Sequence, residues 1–169
     1  MGVIPHLLQR EPGHIGSKHF TLIVTDRRLI VAQFTVQMIR ETQADSKRRA
    51  KEEGKGFLGR LFAGSFISSD YADRYWNMAP EQILLETTGN FAVEIPTVSA
   101  VVIEHHVSKS EESRFDVYEL RIESTEGVSS YVFDGDPEDV KMLRQILGDR
   151  VHGSGAPRVI RLGRRSRPP

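Results

Sequence analysis

The sequence has no cysteine among its 169 residues. This absence excludes disulfide bonds, cysteine-ligated zinc, thiol nucleophiles and thiol redox chemistry together. No stretch reaches the ~20 apolar residues that a membrane-spanning helix needs, and the first residues, MGVIPHLLQREPG, lack the charged start and the apolar run of a signal peptide. We therefore predict a soluble, intracellular protein of the cytoplasm, and leave open a peripheral association with a membrane or a large complex.

Sequence signatures of catalysis and of metal binding are absent as well. No GxSxG, GxxxxGK[ST] or strand-linked GxGxxG motif occurs. The six histidines form no helical pair with metal-ligand spacing, and His105 and His106 fall on opposite faces of one predicted strand. The carboxylates of residues 134–139 lack the spacing of a calcium loop, and helix capping explains most of them. The prediction is a protein that is not an enzyme and that has neither a cofactor nor a metal site.

The charge of the chain is unevenly distributed although its formal net charge is zero. Residues 150–169 contain six arginines and no acidic residue, which leaves 17 basic against 23 acidic residues in residues 1–149. Glycine and proline give residues 151–157 the composition of a linker. We therefore predict one domain over residues 1–150, followed over residues 151–169 by this linker and an arginine-rich tail. Such a tail either binds phosphate groups or is a disordered, solubilising end.

The chain is organised around residues 20–34, FTLIVTDRRLIVAQF, which read as two strands joined by a turn. Pairing across the turn sets Val24 opposite Leu29 and Leu22 opposite Val31, and this apolar face is assigned to the core. The other face is predicted to be mixed. Asp26 is the residue expected to stabilise the turn, because an aspartate bonds its own backbone two residues on.

Further strands are predicted over residues 3–8, 91–95, 98–107, 115–123 and 128–133 from alternating apolar residues between turn signals. A closing helix begins at the cap Asp136 with Pro137 in its first position, and it ends at Gly148. Val140, Leu143 and Leu147 form its buried stripe.

Residues 37–88 separate the third and fourth strands and contain helical patterns. Residues 36–53 are predicted to be a helix whose second half is basic, and shorter helices are predicted over residues 70–78 and from Pro80 to Leu85. The basic residues are Lys47, Arg48, Arg49 and Lys51. Between these helices, an amphipathic segment carries an apolar stripe made of Phe57, Leu58, Leu61 and Phe62. This Phe/Leu stripe either docks on a partner or a membrane, or folds back on the core of the same chain.

The hairpin TLIVTDRRLIVA, the later NFAVEIPTVSAVVIE, two more antiparallel strands and the closing amphipathic helix resemble the pleckstrin-homology-like superfold, in particular its prokaryotic PH and GRAM-type members. The resemblance covers residues 3–36 and 89–149, and it makes residues 37–88 a helical insertion. It implies an α+β, mainly antiparallel fold: a partly open barrel or sandwich of six or seven strands with a C-terminal capping helix. It also implies a non-enzymatic binding module for lipid head groups, peptides or proteins. The loop that binds lipid in such proteins holds few basic residues here, which argues against a specific phosphoinositide site.

Two functional hypotheses follow from these patterns. In the first, the protein is an interaction subunit of a larger assembly, and its insertion helix and Phe/Leu stripe contact a protein partner. In the second, it binds an anionic surface, either RNA or the ribosome or else a membrane, through the basic insertion helix and the tail. The tail arginines are Arg158, Arg161, Arg164, Arg165 and Arg167. No small-molecule substrate is predicted.

Overall fold

The computed structural model describes residues 1–10, 17–38, 40–41, 71–109, 114–153 and 158–161. The chain divides into two compact units, residues 1–95 and residues 96–169. Among the described residues of both units, strands are the commonest regular element, and most strand pairs are antiparallel. The predicted α+β, mainly antiparallel class is therefore confirmed.

The described residues of the first unit form four strands, which pair antiparallel in the order β4-β3-β2-β1. Their bounds are β1 Gly2–Arg10, β2 Ser17–Val24, β3 Arg28–Phe34 and β4 Phe91–Glu94. The register of β2 on β3 confirms the predicted pairs, since Val24 faces Leu29 and Leu22 faces Val31. These four side chains are fully buried, as strict alternation at a tight turn requires.

The turn between β2 and β3 is held by Thr25. Its hydroxyl oxygen accepts hydrogen bonds from the backbone N–H of Arg27 (3.2 Å) and of Arg28 (2.9 Å), and the hydroxyl itself donates to the carbonyl oxygen of Arg28 (2.8 Å). A threonine hydroxyl accepts from these N–H groups as an aspartate carboxylate would, and it also donates to the carbonyl oxygen, which a carboxylate cannot do. The residue that closes the turn is thus Thr25, one position before the predicted Asp26.

The second face of the hairpin is buried too, which corrects the prediction of a mixed face. Helical residues between β3 and β4 cover it: a 3₁₀ segment, Asp73–Asn77, and the helix α1, Pro80–Glu86. Tyr75 and Ile83 from these segments pack with Ile23, Ile30 and Ala32 in one core cluster. The second face of the hairpin is therefore covered by elements that are distant from it in sequence. No local sequence pattern reveals this contact.

Asn90 fixes α1 against the sheet after the chain leaves the helix. Its side-chain oxygen accepts from the backbone N–H of Gln33 in β3 (2.7 Å), and its side-chain nitrogen donates to the carbonyl oxygen of Ile83 (2.6 Å). One amide thus joins a strand to the end of a helix. Residues 36–38 and 40–41 are helical, and the remainder of the helix predicted over residues 36–53 lies outside the described residues.

The second unit, over its described residues, contains an antiparallel meander, a helix and two short parallel strands. Their bounds are β5 Val98–Lys109, β6 Arg114–Ser124, β7 Gly127–Phe133, α2 Pro137–Leu147, β8 Val151–Gly153 and β9 Arg158–Arg161. β6 lies between β5 and β7, and both β8 and β9 pair in parallel with the other edge of β5. The described residues hold nine strands, against the six or seven predicted, because the two that follow α2 were assigned to the linker and tail.

Helix α2 has the ends that the sequence predicts. The side chain of Asp136 accepts from the backbone N–H of Glu138 (2.9 Å), and that of Asp139 accepts from the backbone N–H of Asp136 (3.0 Å). Gly148 ends the helix with a φ of +59°, which a glycine adopts without strain. Leu143 and Leu147 are buried and fix α2 to its unit.

In the part of the chain that the structure describes, no helix has the length and apolar character needed to cross a membrane.

Candidate functional site

A cavity of about 510 Å³ lies between α2 and the inward face of β5 and β6, and it opens to solvent. The described residues that line it belong to the second unit: Ile103, His105, Tyr118, Pro137, Val140, Lys141, Arg144 and Gln145. The strands supply the floor through alternate residues, and one face of the helix supplies the wall and the rim. A cavity of this size falls in the range of small-ligand and side-chain binding sites.

The floor of the cavity is an aromatic stack. The ring of His105 lies parallel to that of Tyr118, with 4.5 Å between centroids and 9° between planes, and Tyr118 stacks in turn on Phe133 at 5.3 Å. His105 Nε2 is 2.7 Å from Asp116 Oδ1, a hydrogen bond that fixes the imidazole ring. The nearly parallel rings of His105 and Tyr118, which both line the cavity, offer a surface on which an apolar or planar group packs favourably.

The phenol of Tyr118 is held in its neutral form. Burial raises the pKa of Tyr118, and the carboxylates of Asp116, Asp136 and Asp139 raise this pKa further. Its hydroxyl is therefore a hydrogen-bond donor at any physiological pH, and it is no source of negative charge in the cavity.

Two cationic side chains of α2 form the rim. Lys141 Nζ is 3.1 Å from a carboxylate oxygen of Glu138. Arg144 is exposed, and its guanidinium lies beside Gly153 of β8: a Cβ built on that glycine would be 3.6 Å from Arg144 Nη2. The rim thus presents one lysine that is already paired and one exposed guanidinium to an incoming anionic group.

The cavity combines apolar and aromatic side chains with cationic ones. Among its described lining residues, Tyr118 carries the one hydroxyl. His105 is engaged by Asp116 through Nε2. An apolar floor with a cationic rim fits a ligand that has an apolar group next to an acidic one.

The structure leaves most of the predicted site residues undescribed. The basic residues of the insertion and the Phe/Leu stripe lie outside the described residues, as do three of the tail arginines. The other two belong to β9, where Arg158 pairs with His106 and Arg161 pairs with Lys109 in the backbone register of β5. These two predicted anion-binding residues therefore lie in a strand at the edge of β5.

Sequence reasoning did not identify the cavity, although one signal pointed to it. His105 occupies an inward position of β5, in line with Val101, Ile103 and Val107, where a core residue is expected. A histidine in an apolar stripe indicates either a satisfied core group or a site. The packing of α2, which decides between them, was not available from the pattern.

Comparisons with protein-family models, with curated proteins and with solved structures found no match for this chain.

Proposed function

We propose that this protein is a non-enzymatic binding module of pleckstrin-homology-like fold that acts as an interaction subunit, and that the α2 cavity recognises an acidic peptide segment of a protein partner. The observation that carries the proposal is the cavity itself, with its aromatic floor and its cationic rim.

Strand order within the units supports the fold part of the proposal. The first unit has a run of four antiparallel neighbours, β1 to β4, and the second has a meander of three, β5 to β7, followed directly by α2. Seven strands followed directly by a helix agree with the six or seven strands and the C-terminal capping helix that the resemblance implies. The helical residues between β3 and β4 support the helical insertion that it also implies.

Charge and shape support a peptide as the ligand. The floor at Tyr118 and Ile103 is apolar and accepts a large side chain, while the rim at Arg144 accepts a carboxylate. A carboxylate paired with a guanidinium at the mouth of an apolar site gains both charge attraction and orientation.

A second contact of the partner is proposed in the first unit. Trp76 and Leu85 are apolar, lie between β3 and β4, and are 49% and 85% exposed. Isolated exposed apolar residues are common, but these two belong to the same insertion as the Phe/Leu stripe predicted from the sequence. The interaction subunit would then contact its partner through the insertion as well as through the cavity.

The test is a selection of short random peptides displayed on phage against the immobilised full chain, followed by affinity measurement of the selected peptides by fluorescence polarisation. We expect peptides that combine an acidic residue with a large apolar one. Val140→Phe fills the cavity and Arg144→Glu reverses the rim charge, and each should weaken binding by at least roughly tenfold. Arg27→Glu makes the same charge change at an exposed turn of the first unit and should leave affinity unchanged.

Several outcomes would overturn the proposal. If the selected peptides bind Val140→Phe and the wild type equally well, the binding site lies outside the α2 cavity. Failure to select peptides, together with salt-sensitive binding of RNA or of anionic vesicles, would favour the anionic-surface hypothesis instead. Circular dichroism of each variant establishes that a loss of binding is not a loss of folding.

A further inference from the structure

The outward face of β5 and β6 carries a second cluster, formed by Glu104, His106 and Glu119. Glu104 and His106 are two residues apart on β5 and share a face, and Glu119 is the register partner of Glu104 on β6. One ligand-type atom from each residue lies within 4.8 Å of the other two. The strand pairing thus brings an imidazole and two carboxylates from two strands close together.

His106 is the unusual member of the cluster. The residue is 8% exposed, and neither of its ring nitrogens has a hydrogen-bond partner among the residues that the structure describes. Its Nε2 points between the carboxylates, at 3.7 Å from Glu104 Oε2 and 3.7 Å from Glu119 Oε1. Both distances exceed a hydrogen bond, and a buried polar group without one is costly.

The distances leave room for an ion to bridge the imidazole and the two carboxylates. Zinc bonds of about 2.0–2.1 Å place neighbouring tetrahedral ligands about 3.3–3.4 Å apart, so small rotations of the glutamates would bring their oxygens from 3.7 Å into place. A neutral imidazole, two carboxylates and a divalent ion have no net charge. The arginine nearest along β6, Arg121, is paired with Glu123 at 3.0 Å, so it is already engaged beside the cluster.

We propose that Glu104, His106 and Glu119 form a binding site for a zinc-like divalent transition-metal ion. The mixed nitrogen and oxygen ligand set suits such an ion, and three protein ligands leave a coordination position for water. The ion would join β5 to β6 on the face of the strands opposite the α2 cavity. The site rests on the cluster alone and is independent of the proposed peptide binding.

On the other side of β5, Arg158 of β9 is the backbone register partner of His106. In β6, the register partner of His106 is the apolar Val117, so the ligands come from β5 and from Glu119 alone.

The experiment is a titration of the full chain, stripped with a chelator and dialysed, with Zn²⁺ by isothermal calorimetry. We expect one ion per chain in the wild type, and at least roughly tenfold weaker binding in Glu119→Gln. Glu126→Gln removes the same charge in the exposed turn between β6 and β7 and should bind as the wild type does. Zn²⁺ should raise the melting temperature of the wild type and of Glu126→Gln, and should raise that of Glu119→Gln much less.

A second readout identifies the ligands directly. Co²⁺ bound at the site should give visible absorption bands that His106→Gln and Glu119→Gln both weaken. The proposal is overturned if the wild type does not bind Zn²⁺. It is overturned equally if Glu119→Gln binds as tightly as the wild type, because the ion would then be held by other histidines. Because Glu119 is exposed, its variant should fold even if a change at buried His106 does not.

Discussion

The hydrogen bond of the Tyr75 hydroxyl should contribute strongly to the stability of the helical residues between β3 and β4, which cover the hairpin of the first unit. Tyr75 is 1% exposed, and its hydroxyl donates to Glu86 Oε2 at 2.9 Å. The other carboxylate oxygen of Glu86 receives Tyr71 at 3.0 Å and Arg74 at 2.6 Å. In Tyr75→Phe, Oε2 would therefore lose its hydrogen bond while Oε1 keeps both of its contacts.

The magnitude follows from the burial of the acceptor. The side chain of Glu86 is 11% exposed, so water replaces the lost donor poorly. A hydrogen bond to a charged group contributes about 1.5–3 kcal/mol, and we expect Tyr75→Phe to lower the free energy of unfolding by that amount. The aromatic ring stays in place, so the loss belongs to the hydroxyl rather than to a cavity.

Urea unfolding followed by circular dichroism measures this change. Tyr118→Phe is the matched control, because the Tyr118 hydroxyl forms no hydrogen bond with the described residues; we expect it to cost less than about 0.5 kcal/mol. In a Glu86→Gln background, Tyr75→Phe should cost less than in the wild type, because the charged acceptor is gone. A cost for Tyr75→Phe as small as that of the control would refute the reasoning.

Two more predictions concern alkaline pH and the C-terminal strands. Burial raises the pKa of Tyr75 above the ordinary value of 10.0, and Glu86 raises this pKa further. Above pH 10 the folded protein therefore keeps the phenol proton that the unfolded chain has lost. The stability that this proton contributes is complete below pH 10 and is lost as the pH rises beyond 10. Urea unfolding at neutral pH and above pH 10 should show a decline that Tyr75→Phe reduces, and an equal decline in both proteins would contradict this. Gly153→Ala should lower the free energy of unfolding by about 1–3 kcal/mol, because the added Cβ would be 2.7 Å from the carbonyl oxygen of Ile103. The control is His152→Ala, which changes an exposed neighbour. An equal effect of both variants in urea unfolding would count against a close approach of β8 to β5.

The sequence predicts the strands well where alternation and a turn act locally. The β2–β3 register followed from period-two patterning over a few residues, and the caps of α2 followed from Asp136, Pro137 and Gly148. The cover that Tyr75 provides could not be predicted, because it depends on a contact between segments far apart in sequence. The sequence does not reveal β8, because glycine and proline give residues 151–157 the composition of a linker, nor β9, because its residues Arg158–Arg161 begin a segment with the composition of an arginine-rich tail.

The two candidate sites show the same division between local and distant information. Alternation places Glu104 with His106 and places His105 on the opposite face, as the sequence predicts. To predict that Glu119 lies beside Glu104 and His106, the β5–β6 register must be known. To predict the cavity, the distance between α2 and the strands must be known. The alternation of a strand therefore predicts which face each residue occupies, but not which residues of different elements meet.

The position of β8 and β9 has a consequence for how the C-terminus is handled in experiments. β5 is 12 residues long and pairs with β6 along one edge, while its other edge is occupied by the chain's own C-terminal residues. Removal of everything after Arg150 would delete the arginines and, at the same time, expose a long strand edge to other copies of the protein. A shortened protein that aggregates would thus report loss of edge protection, whereas replacing the arginines individually in the full chain tests their charge alone.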